Sequence, residues 1–215
     1  MRIPFKATLP LAVGALCATA VLAQAPPGAS PPPAGSVAVA NPTYTSLLME
    51  VDVNRPAAEV WKRVGKYCDI GEWLQVPCKI TSGTDGEVGA VRSIGREILV
   101  GKTDLSYTYT QPVTEGRPYI LYHGTLEAKP VTPSTSKLRY TLMWDNSTCA
   151  DDAAREQDKA QRRQTFEKAL SNMKVLAEGG TLPAGRPGGP GGCFSRGPGG
   201  PGGPGAPGGP GGPPR

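Results

Sequence analysis

Side chains able to do acid–base or nucleophilic chemistry are few in this chain, and they are scattered. Its 215 residues include one histidine, His123, which follows Tyr122 in a strand-like run. Successive residues of a strand point to opposite faces, so His123 is expected to look outward if Tyr122 looks inward. No Ser/His/Asp or Cys/His arrangement supports a nucleophile, and the sequence has no GxGxxG, P-loop or HExxH pattern. Glu97 acting with a tyrosine suits proton shuttling in a cyclisation or dehydration, provided that burial raises its pKa. On this basis no catalytic residue, cofactor or metal is assigned.

The cysteines carry more information. Cys17 falls in an N-terminal stretch that reads as a secretory signal. Arg2 and Lys6 supply its positive start, Leu9 to Leu22 is apolar, and Val21-Leu22-Ala23 offers small residues for cleavage after Ala23. The apolar run is shorter than the ~20 residues that span a bilayer, and it contains Pro10, so no stable membrane anchor is expected. Leu16, directly before Cys17, argues against a lipoprotein. A periplasmic or secreted location follows as an expectation. The mature chain would then keep Cys68, Cys78, Cys149 and Cys193 in an oxidising compartment. A short loop can bring Cys68 and Cys78 within bonding distance, so we expect that disulfide. The pairing of Cys149 and Cys193 is left open. A zinc site would want a CxxC pair or more histidine than this chain has.

The net charge of +5 resolves once it is placed along the chain. Arg2 and Lys6 lie in the leader, and Arg186, Arg196 and Arg215 lie in the tail. All 18 acidic residues and an equal number of basic ones fall within residues 41–179, which are therefore neutral. A nucleic-acid binder needs a dense basic surface to displace counterions, so no nucleic-acid partner is expected.

Four segments emerge: a signal peptide at 1–23, a Pro/Ala-rich linker at 24–40, one domain at 41–179 and a disordered Gly/Pro-rich tail at 180–215. Within the domain, Thr45–Val53 reads as a strand. Ala57, Val60, Trp61 and Val64 follow at helical spacing, with Pro56 in the first turn. A short helix is expected around Asp69–Leu74. Strand-like runs come next at Val76–Thr81, Gly89–Gly95, Glu97–Lys102, Leu105–Gln111, Tyr119–Val131 and Lys137–Asp145, with Gly and Pro at most joints. Asp151 to Glu178 lacks both Gly and Pro and carries a stripe of Phe166, Ala169, Leu170, Met173, Leu176 and Ala177. That pattern is a long amphipathic helix, and its apolar face has only the sheet to cover. In the tail, glycine recurs every third residue from Gly199 to Gly211, which is too few triplets for a stable collagen helix.

The order strand, helix pair, six-strand meander and long C-terminal helix resembles the START/Bet v 1-like (SRPBCC, polyketide cyclase/dehydrase-like) superfamily over residues 46–178. The matching segments are VDVNRPAAEVWKRVGKY, the Gly86–Ile94 run, YHGTLEAKPV at Tyr122–Val131 and QRRQTFEKALSNMK. The resemblance implies an α+β helix-grip fold, with a curved seven-stranded antiparallel sheet around the last helix and a cavity between them. Matching the family's strand order turns Leu99, Tyr107, Tyr109, Tyr122, Leu138, Tyr140 and Leu142 inward, with Phe166, Leu170 and Met173 closing the cup. It also puts Arg92 and Glu97 near the cavity. An aromatic wall with hydroxyl handles suits a flat apolar ligand. The expected function is that of a binding or carrier protein for a hydrophobic, lipid- or polyketide-like small molecule. The rival readings are a polyketide cyclase/dehydratase-like enzyme and an envelope module that contacts a protein through the tail or the exposed half of the helix.

Overall fold

The computed structural model describes residues 41–114, 119–184 and Cys193. The expected signal and linker, and most of the Gly/Pro tail, lie outside the described residues. Seven strands form one antiparallel sheet: β1 (Tyr44–Val53), β2 (Ile80–Ser82), β3 (Val91–Arg92), β4 (Ile98–Thr103), β5 (Ser106–Thr110), β6 (His123–Thr132) and β7 (Thr135–Asp145), in the order β1-β7-β6-β5-β4-β3-β2. Helices α1 (Ala57–Val64) and α2 (Ile70–Trp73) link β1 to β2, and α3 (Asp152–Ala177) follows β7. This is the expected helix-grip fold. Among the described residues no helix is long and apolar enough to cross a membrane.

Local chemistry sets the elements. The β4–β5 and β6–β7 hairpins turn through two residues each, Asp104-Leu105 and Pro133-Ser134. In the second turn the Thr132 hydroxyl accepts from the Thr135 amide at 3.0 Å, which fixes its conformation. At the start of α3 the Asp151 side chain accepts from the Ala154 amide at 2.8 Å, an N-cap that satisfies one of the helix's free donors. Pro56 is the N-cap of α1 and not a first-turn residue, with its carbonyl accepting from the Val60 amide.

Three expected strands have different bounds in the structure. Gly89–Gly95 contracts to Val91–Arg92, because Gly89 (φ 94°) and Gly95 (φ 59°) adopt left-handed backbone that breaks the ladder. Tyr119–Val131 begins only at His123, because Leu121 (φ 48°) also turns left-handed. The Val76–Thr81 strand starts at Ile80, past Pro77 and the half-cystine Cys78.

The register places inward residues in rows across the sheet. Leu47 pairs with Leu142, Leu142 with Gly124, Gly124 with Tyr109, and Tyr109 with Leu99. A second row runs from Met49 through Tyr140 and Leu126 to Tyr107. These rows are buried and meet Phe166, Leu170 and Met173 of α3, which forms one core between sheet and helix. At 20–30 cal/mol per Å² of apolar surface buried, such a core is the main stabilising contribution.

Candidate functional site

A cleft of about 670 Å³ opens where α1 meets the β4–β5 hairpin and the β2–β3 loop. Trp61, Tyr67, Leu99 and Tyr107 give it apolar walls. Lys62, Lys66 and Lys102 share its lining with Asp85, Asp104, Thr103 and Ser106. Trp61 stands at the outer wall, half-buried, with its ring 5.6 Å from that of Tyr107. Gly65, one helical turn later, lets the indole lie down: a Cβ there would come within 2.4 Å of the Trp61 ring. Tyr67 meets Tyr107 edge-on at 5.4 Å, completing three aromatic rings in contact.

Behind this wall is a buried ion pair. Arg92 is fully buried on β3, and its Nε donates to Glu97 Oε2 at 2.8 Å. Its Nη1 donates to the Tyr67 carbonyl at 2.8 Å, and its guanidinium carbon lies 4.4 and 4.5 Å from the ring centres of Tyr67 and Tyr109. Cation–π contact of this kind offsets part of the desolvation cost of a buried arginine. Burial pushes the Glu97 carboxyl up, and the Arg92 charge and hydrogen bond pull it only part of the way back. Burial opposes the Arg92 charge, but the adjacent Glu97 holds the guanidinium well above its ordinary value.

The tyrosines form a linked interior set. Tyr109 Oη lies 2.9 Å from Tyr140 Oη and 3.4 Å from Tyr122 Oη. Burial raises all three, Tyr122 to about 12 and the other two well above their ordinary value. Tyr67 and Tyr107 are raised by burial too, so their buried phenols stay neutral at physiological pH. Among the described residues, the buried hydroxyls of Tyr67 and Tyr107 have no hydrogen-bond partner.

Of the twelve residues expected to line a ligand site, Leu99 and Tyr107 line this cleft. Arg92, Glu97, Tyr109, Tyr122, Leu138, Tyr140, Leu142, Phe166, Leu170 and Met173 are buried, but they are not in its lining. They pack against one another between sheet and helix. Tyr140 lies 4.6 Å from Phe166 and 6.2 Å from Trp73, ring centre to ring centre. These residues face the core, and the opening sits at the α1 end of the grip. Trp61, Tyr67 and the lysines escaped sequence reading because the apolar spacing of α1 marks Trp61 as core. The Trp61/Gly65 pair at i, i+4 was the signal available for that wall.

Cys68 and Cys78 are bonded as expected, with Cα atoms 5.6 Å apart. A second disulfide joins Cys149 to Cys193. Cys193 also donates its amide to Asp158 Oδ1 at 3.2 Å, while Trp144 Nε1 donates to Oδ2 at 2.8 Å. His123 Nδ1 lies 2.9 Å from the Leu121 carbonyl, away from the cleft lining.

No protein-family model matches the chain, and no curated protein matches it significantly. Solved structures do. A solution NMR structure of a protein from Thermobifida fusca is similar over 64% of this chain and 97% of that one, at 24% identity and TM-score 0.52, which shows the shared fold. The Zhui aromatase/cyclase from Streptomyces sp. R1128 aligns at 17% identity over 65% of this chain and 100% of its own, with TM-score 0.47. Ara h 8.0201 aligns at 17% identity over 61% and 98%, with TM-score 0.42.

Proposed function

Starting from a START/Bet v 1-like helix-grip fold, we propose that this protein binds a hydrophobic small molecule in the cleft between α1 and the β4–β5 hairpin, as a carrier in the periplasm or outside the cell. The observation that carries this reading is the wall of Trp61, Tyr67, Tyr107 and Leu99 around about 670 Å³. That volume lies within the range of small-molecule sites, and aromatic walls suit a flat apolar body. The rim carries charges of both signs, and Lys102 is already paired with Glu87 at 2.8 Å. The rim therefore favours a ligand with a neutral polar end over a strongly charged one. The leader and the two disulfides support an exported location.

Titration of the purified chain with Nile red tests this. Saturable binding with a matching rise in Tm is expected, and Trp61→Ala weakens binding about tenfold in a protein that keeps its circular dichroism. A wild-type protein that binds neither Nile red nor any member of a panel of polycyclic compounds would end this reading.

A further inference from the structure

We propose that the Cys68–Cys78 disulfide makes the cleft thiol-sensitive, so that its reduction loosens the aromatic wall and weakens ligand binding; this regulation rests on the binding function proposed above. The bridge follows Tyr67 directly and precedes Lys79 directly. The two neighbours are tied to consecutive residues, Arg92 and Ser93. The Tyr67 carbonyl accepts from Arg92 Nη1 at 2.8 Å. Ser93 donates its amide to the Lys79 carbonyl at 2.8 Å, and its Oγ accepts from the Lys79 amide at 3.1 Å. The disulfide thus closes a ring through Arg92 and Ser93 that fixes where Tyr67 stands.

The Tyr67 ring is buried in the core and held there by packing. Its hydroxyl has no hydrogen-bond partner among the described residues, so its position depends on packing against Tyr107 and Arg92 and on the ring closed by the bridge. The short helix α2, inside the disulfide loop, is anchored separately: Trp73 is fully buried and its carbonyl accepts from Asn172 Nδ2 at 2.8 Å. Opening the bridge therefore releases the backbone beside Tyr67 and Lys79, while α2 keeps its own anchor. Cys68 and Cys78 are both half-buried, whereas the other bridge has one buried half, Cys149, and one half-buried, Cys193.

The chemistry is thiol–disulfide exchange with a dithiol. One thiolate of the reductant attacks a bridge sulfur to give a mixed disulfide, and its second thiol displaces the protein. Two electrons pass to the cysteines, two protons end on Cys68 and Cys78, and the reductant leaves as its own disulfide.

The test uses the full chain in four forms: oxidised, dithiol-reduced, C68S/C78S and C149S/C193S. Nile red affinity and acrylamide quenching of Trp61 (the difference between the protein and its W61F counterpart) are read beside far-ultraviolet circular dichroism. Loss of a preformed wall should weaken Nile red binding about fivefold and raise Trp61 quenching about twofold in the reduced and C68S/C78S forms, with C149S/C193S unchanged. Unchanged affinity and quenching in folded C68S/C78S would overturn the proposal. So would loss of the fold in both the reduced and C68S/C78S forms, since the bridge would then be a staple for the whole domain. If the oxidised protein binds no apolar compound, the binding function falls, and the quenching comparison still decides whether the bridge holds the wall.

Discussion

Gly124 is glycine because Tyr109 occupies the space where a side chain would go: a Cβ at Gly124 would meet the Tyr109 ring at 2.3 Å. Gly124→Ala must displace Tyr109 and with it the Tyr122–Tyr109–Tyr140 hydroxyl set. We expect a loss of about 1–3 kcal/mol in urea unfolding, the usual range for overpacking a core. The same tyrosines predict a pH response. Burial raises Tyr67, Tyr107, Tyr109, Tyr122 and Tyr140 in the folded state, Tyr122 to about 12. The folded protein then holds these protons more tightly than the unfolded chain, whose phenols titrate near pH ~10. Their contribution to stability is complete below that value and declines as pH rises toward about 12. Tyrosinate absorbance of these five should therefore appear in one steep step together with loss of circular dichroism. A gradual rise in a protein that stays folded would contradict their burial.

At the scale of elements, α3 is held at both ends. Asp151 caps its start. At its other end Lys174 Nζ donates to the Asp52 carbonyl, and Glu178 Oε1 accepts from the Asn54 amide at 2.9 Å. Asp151→Ala should cost about 1 kcal/mol by thermal or urea melts, as N-cap losses generally do. Much of this layer was legible in the sequence. The stripe from Phe166 to Leu176 marks the buried face of α3, and two-residue alternation together with the resembled family's strand order turns Tyr107, Tyr109, Leu138, Tyr140 and Leu142 inward. Legibility failed where one residue changes the backbone without changing the pattern. Nothing in the run Tyr119–Val131 announces that Leu121 turns left-handed, because leucine rarely does. The position of the cleft is hidden from the sequence for a related reason. An inward face is a property of local alternation, whereas an opening depends on how far side chains from different elements fill the space between them. Tyr140 and Phe166 close the centre through a contact between β7 and α3 that no single segment encodes.

At the scale of the molecule, the two disulfides differ in the chain length they close. Cys68–Cys78 spans 10 residues, and Cys149–Cys193 spans 44. Because a longer loop loses more unfolded-state freedom when closed, C149S/C193S should lower stability by about 4 kcal/mol and C68S/C78S by about 2–3 kcal/mol. Equilibrium unfolding of the two variants side by side checks the ranking.

The longer bridge also has a topological outcome. Cys193 comes after the end of α3 in sequence, yet it is bonded to Cys149 and leans on Ala154 and Asp158, near the opposite end of that helix. At 1.5 Å per residue those two ends are about 35 Å apart. A protease site engineered between residues 184 and 193 would therefore release nothing on cleavage. The severed piece would stay with the body as one species on a non-reducing gel and separate into two only once a thiol was added.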